Sequence, residues 1–178
     1  MWETKEPKPV KLIIGILAAD ELSLKTAVEA VGKKFGQIDC TSGVWPFDTT
    51  DYYEQQAGEN ILRQFVSITK LIHPGKLAKI KHRTNKLEKK LAEKLEMDLP
   101  RPVNLDPGYI GASKLVLATT KNYSHRMYIG EQMFAEVTLI FAKGGWSPLP
   151  YTYPDYRQQK YFDFFNEVRK KLLEQLKS

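Results

Sequence analysis

The chain has 178 residues, 42% hydrophobic and 11% aromatic, enough apolar mass in one domain's length to bury a core without disulfide or metal cross-links. This composition excludes a disordered chain, and the longest apolar stretch, Leu12–Ala19, is far short of the ~20 residues a membrane-crossing helix needs. The formal charge of +6 is local: between His73 and Lys94, Lys76, Lys79, Lys81, Arg83, Lys86, Lys89, Lys90 and Lys94 face only Glu88 and Glu93.

In chain order, Lys11–Ala18 reads as a buried strand, continuously apolar and rich in Ile and Leu. Asp20 can cap a following helix in which Leu24, Val28, Val31 and Phe35 recur at helical spacing, and Gly36 suits its C-terminal end. Ile38–Phe47 reads as a second strand, interrupted by Gly43 and closed by Pro46. Phe47–Gly58, polar and aromatic, reads as a loop, and Asn60–Ile72 as a third strand. Pro74 then opens a long helix with an inward stripe of Leu77, Ile80, Thr84, Leu87, Leu91 and Leu95, ended by Leu99-Pro100.

Up to Leu105 the order is strand, helix, strand, strand, helix, strand, the split βαβ order of ferredoxin-like sandwiches. Further strands are read at Lys114–Thr120, Arg126–Ile129 and Met133–Lys143. Gly144-Gly145 and Pro148-Leu149-Pro150 read as a loop. A terminal helix starts near Asp155, with Asp155 and Gln158 spaced as a capping box. The fold class expected is α+β: a ferredoxin-like core extended by C-terminal strands and a helix, one domain over 1–178 with residues 1–9 as a flexible arm. The single cysteine, Cys40, and the lack of a signal-peptide pattern predict a cytoplasmic protein.

Three polar loops carry the candidate chemistry. In Asp48–Glu54, Asp51 and Glu54 can supply the carboxylates that Mg²⁺ combines with water and phosphate, or act as turn and cap residues. In Asn104–Tyr109, Asp106 precedes Pro107-Gly108 at a strand end, a position for a ligand group or a plain turn. In Thr119–Arg126, Arg126 can grip phosphate bidentately, Lys121 adds a point charge, and His125 can transfer protons or be structural. The basic helix is either a solvated face or a patch that attracts RNA phosphates, with Tyr52, Tyr53 and Tyr109 available to stack bases. No P-loop, zinc spacing or G-x-S-x-G elbow is present.

Several segments are distinctive together: Thr50-Asp51-Tyr52-Tyr53-Glu54 with Gly58, Lys81-x-x-Thr84-Asn85-x-x-Glu88, and Val103-Asn104-Leu105-Asp106-Pro107-Gly108-Tyr109. Leu115-Val116-Leu117-Ala118-Thr119-Thr120-Lys121 with His125-Arg126, Ala135-Glu136-Val137-Thr138-Leu139, and Thr152-Tyr153-Pro154-Asp155-Tyr156-Arg157 complete the set. Through them, from Val10 to Leu176, the chain resembles a bacterial family defined by a domain of unknown function, some members of which are labelled GTP-binding proteins. It departs from similar sequences at Gln56 and Ala57, and at Tyr151, which replaces a tryptophan. The label implies nucleotide binding. Thr120-Lys121-Asn122-Tyr123 begins like a guanine-reading motif but ends in Tyr, so the chain does not resemble a conventional GTPase.

The expected function is binding of a phosphate-bearing small ligand, a nucleotide such as GTP, with Mg²⁺ and phosphoryl or nucleotidyl chemistry. The expected catalytic residues are His125 and Asp106. Lys121, Arg126, Thr84, Asn85, Tyr109 and Arg157 are expected to bind the ligand, and Asp106, Asp51 and Glu54 the metal. The rival expectation is a non-enzymatic RNA-binding or protein-interaction module that uses helix 74–97. No membrane partner is expected.

Overall fold

The computed structural model describes residues 2–47, 57–58 and 60–177. Its elements are β1 (Lys11–Ala18), α1 (Glu21–Phe35), β2 (Ile38–Thr41), β3 (Trp45–Pro46), β4 (Leu62–Ile68), α2 (Leu77–Leu95) and β5 (Val103–Ile110). There follow β6 (Lys114–Thr119), β7 (Met127–Gly130), β8 (Met133–Ala142), β9 (Gly145–Pro148) and α3 (Gln159–Gln175), with 3₁₀ turns at Pro74–Lys76 and Pro154–Arg157. The described residues form one sheet in the order β2-β4-β1-β5-β6-β8-β7. Every pair is antiparallel, β3 continues along β4 and β9 along β8. The molecule is therefore α+β. Among the described residues no helix is long and apolar enough to cross a membrane.

β1 is apolar throughout because both of its faces are covered. Leu12, Ile14 and Ile16 point to α1 and α2, where they meet Leu24, Val31, Ile80 and Leu91. Ile13 points the other way, into a core with Phe65, Leu115, Tyr161, Phe165 and Leu172 beneath α3. Side chains alternate across a strand, so a strand covered on both sides shows a continuous apolar run. At the ends of α1, Asp20 Oδ1 accepts the Ser23 N–H at 2.7 Å and Gly36 takes φ 117°, as the cap residues predict.

Four expectations are corrected. Ile38–Phe47 is not one strand but the short β2 and β3, separated where the Ser42 hydroxyl accepts the Phe65 N–H. Gly145–Pro148 is not loop but β9, reached through a tight turn in which Lys143 and Gly144 have φ of 51° and 84°. α2 ends at Leu95, where Glu96 turns left-handed (φ 50°), before Leu99-Pro100. α3 starts at Gln159, and Asp155 is not its cap: it is buried against Arg63.

Candidate functional site: an ionic cluster at the open edge of β5

Asp106-Pro107-Gly108 is neither turn nor strand end. It lies inside β5, where Gly15 faces Asp106 and Ile14 faces Pro107 across the β1 ladder. Two features let proline and glycine sit there. β6 pairs only with Gly108–Ile110, so among the described residues Val103–Pro107 have no partner strand on that side, and proline's missing N–H leaves no ladder bond unmade. At Gly108 the strands approach so closely that a Cβ would lie 2.4 Å from the Val116 carbonyl oxygen.

Helix α2 supplies what the missing strand would. The Glu88 carboxylate accepts the Leu105 N–H at 2.7 Å, and the Lys81 ammonium donates to the Leu105 carbonyl at 3.0 Å. Both side chains are buried, two helical turns apart on one face. Thr84, between them, donates its hydroxyl to the Lys81 carbonyl at 2.9 Å. Burial pushes the Glu88 carboxyl above its ordinary value, opposed by Lys81 and by Arg101, which binds it at 2.6 and 3.0 Å.

Past the open edge, Lys81 Nζ comes within 3.7 Å of Asp106 Oδ1. Asp106 Oδ2 accepts from Asn104 at 2.7 Å and stands 3.9 Å from Arg63 Nη1. Arg63 Nη2 donates to Asp155 at 3.0 Å, and the guanidinium lies among the rings of Phe47, Phe65 and Tyr156. Two cations and two carboxylates thus cancel in charge. Arg63, Lys81 and Asp155 are almost fully buried, whereas the Asp106 side chain is 26% exposed and gives the group its opening to solvent.

Burial works against the Arg63 charge, but Tyr156 and Asp155 outweigh it and hold the guanidinium above its ordinary value. Burial pushes Asp155 up despite Arg63, and drives the Tyr156 phenol well up. Arg63 Nε, Arg63 Nη1 and Tyr156 Oη are buried without a hydrogen-bond partner among the described residues.

A second polar group surrounds Glu136 of β8. Arg126 Nε donates to its carboxylate at 2.7 Å, and His125 Nε2 lies 3.1 Å from the same oxygen. A carboxylate only accepts, so this contact places the proton on Nε2. His125 stacks on Tyr151 with centroids 4.3 Å apart, and Arg126 reaches Tyr153 Oη at 3.2 Å. Burial opposes the Arg126 charge, but the Glu136 hydrogen bond outweighs it and raises the group. The two groups meet through one short segment: Tyr153 touches Arg126, and Asp155, two residues on, touches Arg63.

The expected site residues are distributed as follows. Asp106 and Thr84 belong to the first group, with half-buried Asn85 on the Lys81–Glu88 face of α2. His125 and Arg126 belong to the second, and the Lys121 carbonyl accepts from Arg126 at 3.2 Å. Arg157 binds the carbonyls of Leu149, Pro150 and Thr152 and so fastens a loop. Tyr109 is on the opposite face of β5 from Asp106, beside Leu77 and Val116. Asp51 and Glu54 lie outside the described residues. Sequence reasoning did not single out Arg63, Asp155 or Glu136 as site residues. The usable signal is a lone charge at a core-facing position of an alternating strand, Arg63 between Ile61 and Phe65 or Glu136 between Phe134 and Thr138: such a charge has to be paired.

Fold and site together define an α+β protein with a mixed-charge cluster buried at a strand edge. The chain matches the family model described as "Domain of unknown function (DUF4416)" over residues 8–172, and it belongs to that family. No curated protein and no solved structure matches it.

Proposed function

We propose that the Arg63–Asp106 cluster binds a phosphate-bearing small molecule, a nucleotide such as GTP, together with Mg²⁺. The observation that carries this reading is Arg63, whose Nε and Nη1 are buried without acceptors among the described residues, beside the partly exposed carboxylate of Asp106. An unsatisfied buried donor costs about 1–3 kcal/mol, and more when charged, a penalty that a phosphate oxygen would remove. Among the described residues no three His, Cys, Asp or Glu converge as a metal cage. Mg²⁺ fits a smaller donor set, one or two carboxylates completed by water and substrate phosphate, and Asp106 is the carboxylate available to it.

In this reading His125 is the group that moves a proton in phosphoryl or nucleotidyl chemistry, with its Nε2 held by Glu136. The core is ferredoxin-like, supported by the antiparallel order β2-β4-β1-β5 with α1 and α2 on one face. The protein is cytoplasmic, which the single buried thiol of Cys40 fits.

Calorimetric titration with nucleoside di- and triphosphates, with and without Mg²⁺, tests the binding. The expected result is saturable, Mg²⁺-dependent binding that weakens about tenfold or more in Asp106→Asn, the loss of one charge-assisted contact. Absence of binding by the unaltered protein overturns the reading.

A further inference from the structure

We infer that the outer face of α1 and α2 is a docking surface for the phosphodiester backbone of a nucleic-acid duplex, separate from the Arg63–Asp106 cluster. Lys79, Arg83, Lys86, Lys90 and Lys94 recur at three- and four-residue spacing and form one exposed stripe along α2. At 1.5 Å per residue the stripe runs about 22 Å. α1 extends it sideways: Lys33 joins Lys90 and Lys94 in lining a groove of about 150 Å³ between the two helices, three cations against one acid, Glu29. The face is held rigid at one end, where Arg83 lies over the Phe35 ring at 4.7 Å and donates to the Lys34 carbonyl at 2.8 Å.

Two facts separate this face from an ordinary solvated surface. Among the described residues, Lys33, Lys86, Lys90 and Lys94 take part in no ion pair, whereas Lys79 is paired with Glu131 and buried Lys81 with Asp106. α2 has also turned its acid inward: Glu88 is buried on Leu105 and Arg101, which leaves Glu93 as the exposed acid of the helix. A concentrated, unpaired positive face binds polyphosphate by counterion release.

Among the described residues, the composition of this face favours one polyanion. The large exposed rings among the described residues, Trp2, Tyr123, Tyr128 and Tyr153, all lie outside α1 and α2. Single strands depend on base stacking for much of their affinity, so a face without rings suits a duplex held by its phosphates and read without sequence. RNA and DNA duplexes share that chemistry.

Fluorescence anisotropy with short labelled RNA and DNA duplexes over a range of KCl concentrations tests this, and the two arms identify the source. The triple variant Lys86→Gln, Lys90→Gln, Lys94→Gln is compared with Lys143→Gln, Lys170→Gln, Lys177→Gln, which removes the same charge from exposed positions elsewhere. Each phosphate contact contributes about 0.9 to the slope of log affinity against log salt, so the α2 triple should flatten it by roughly 2 to 3 while the control leaves it nearly unchanged. Equal effects of the two triples would reduce the binding to diffuse net charge and overturn the proposal. So would the absence of salt-dependent duplex binding, or binding to anionic phospholipid vesicles alone.

Discussion

Arg63 crosses β1 directly above Gly15. The guanidinium leaves β4, passes over the glycine and approaches Asp106 on β5, and a Cβ at position 15 would stand 3.0 Å from both Arg63 Nη1 and Phe65 Cε1. A glycine inside an otherwise Ile- and Leu-rich strand thus has a packing reason. Gly15→Ala should destabilise the protein by about 1–3 kcal/mol, the range for overpacking a filled core. Urea unfolding measures it, and an unchanged midpoint would show that the guanidinium has room to move.

Arg126 is anchored to Glu136, whose side chain is 3% exposed. Arg126→Ala leaves that carboxylate buried with His125 and Thr138 as its partners among the described residues, and should cost roughly 3 kcal/mol of folding stability. Adding Glu136→Gln removes the stranded charge and should restore a large part of the loss. A stable Arg126→Ala protein that merely loses ligand would instead assign this arginine to binding.

Much of the fold was legible where the causes are local. The double-faced burial of β1, the Asp20 cap and the Gly36 terminus each follow from a few neighbouring residues. Pro107-Gly108 misled because its turn chemistry is local while its explanation is not: β6 diverges and α2 covers the edge. Asp155 has the spacing of a helix cap, but its partner is Arg63, 92 positions away. The motif Lys81-x-x-Thr84-Asn85-x-x-Glu88 was visible as one polar helix face, yet only the fold shows that Lys81 and Glu88 grip the backbone of a single residue, Leu105.

Loss of that grip should be read at Leu105 itself. Glu88→Gln weakens the acceptor for the Leu105 N–H and leaves Arg101 without its partner carboxylate. Charged hydrogen bonds contribute about 1.5–3 kcal/mol, so a loss of that order is expected. Amide exchange at Leu105 should accelerate more than exchange at Ile14 or Ile16, which are held by strands on both sides. Uniform acceleration across β1 and β5 would show that Glu88 serves general stability rather than the open edge.

Asp155 gives a pH dependence of definite sign. Its folded-state value is raised above the ordinary 3.8, first by burial, so the folded protein binds this proton more tightly than the unfolded chain. This carboxyl therefore withdraws stability as pH rises from about 3.8 through its folded value. Asp155→Asn lacks the titration, so the stability difference between unaltered protein and variant should narrow over that window as pH rises. Denaturant unfolding at a series of pH values checks it, and a widening difference would mean that Arg63 pulls the carboxyl down instead.

The Arg63 side-chain Nε–Hε resonance tests the central claim most directly. That N–H is buried with no acceptor among the described residues, so its ¹H–¹⁵N signal is a reporter inside the cluster. Titration with Mg²⁺ and GTP should move it strongly downfield, as a charge-assisted hydrogen bond to phosphate forms, and the shift should be lost in Asp106→Asn. An Nε–Hε signal that stays fixed while nucleotide shifts resonances elsewhere, or shifts none, would contradict the assignment of this cluster as the ligand site.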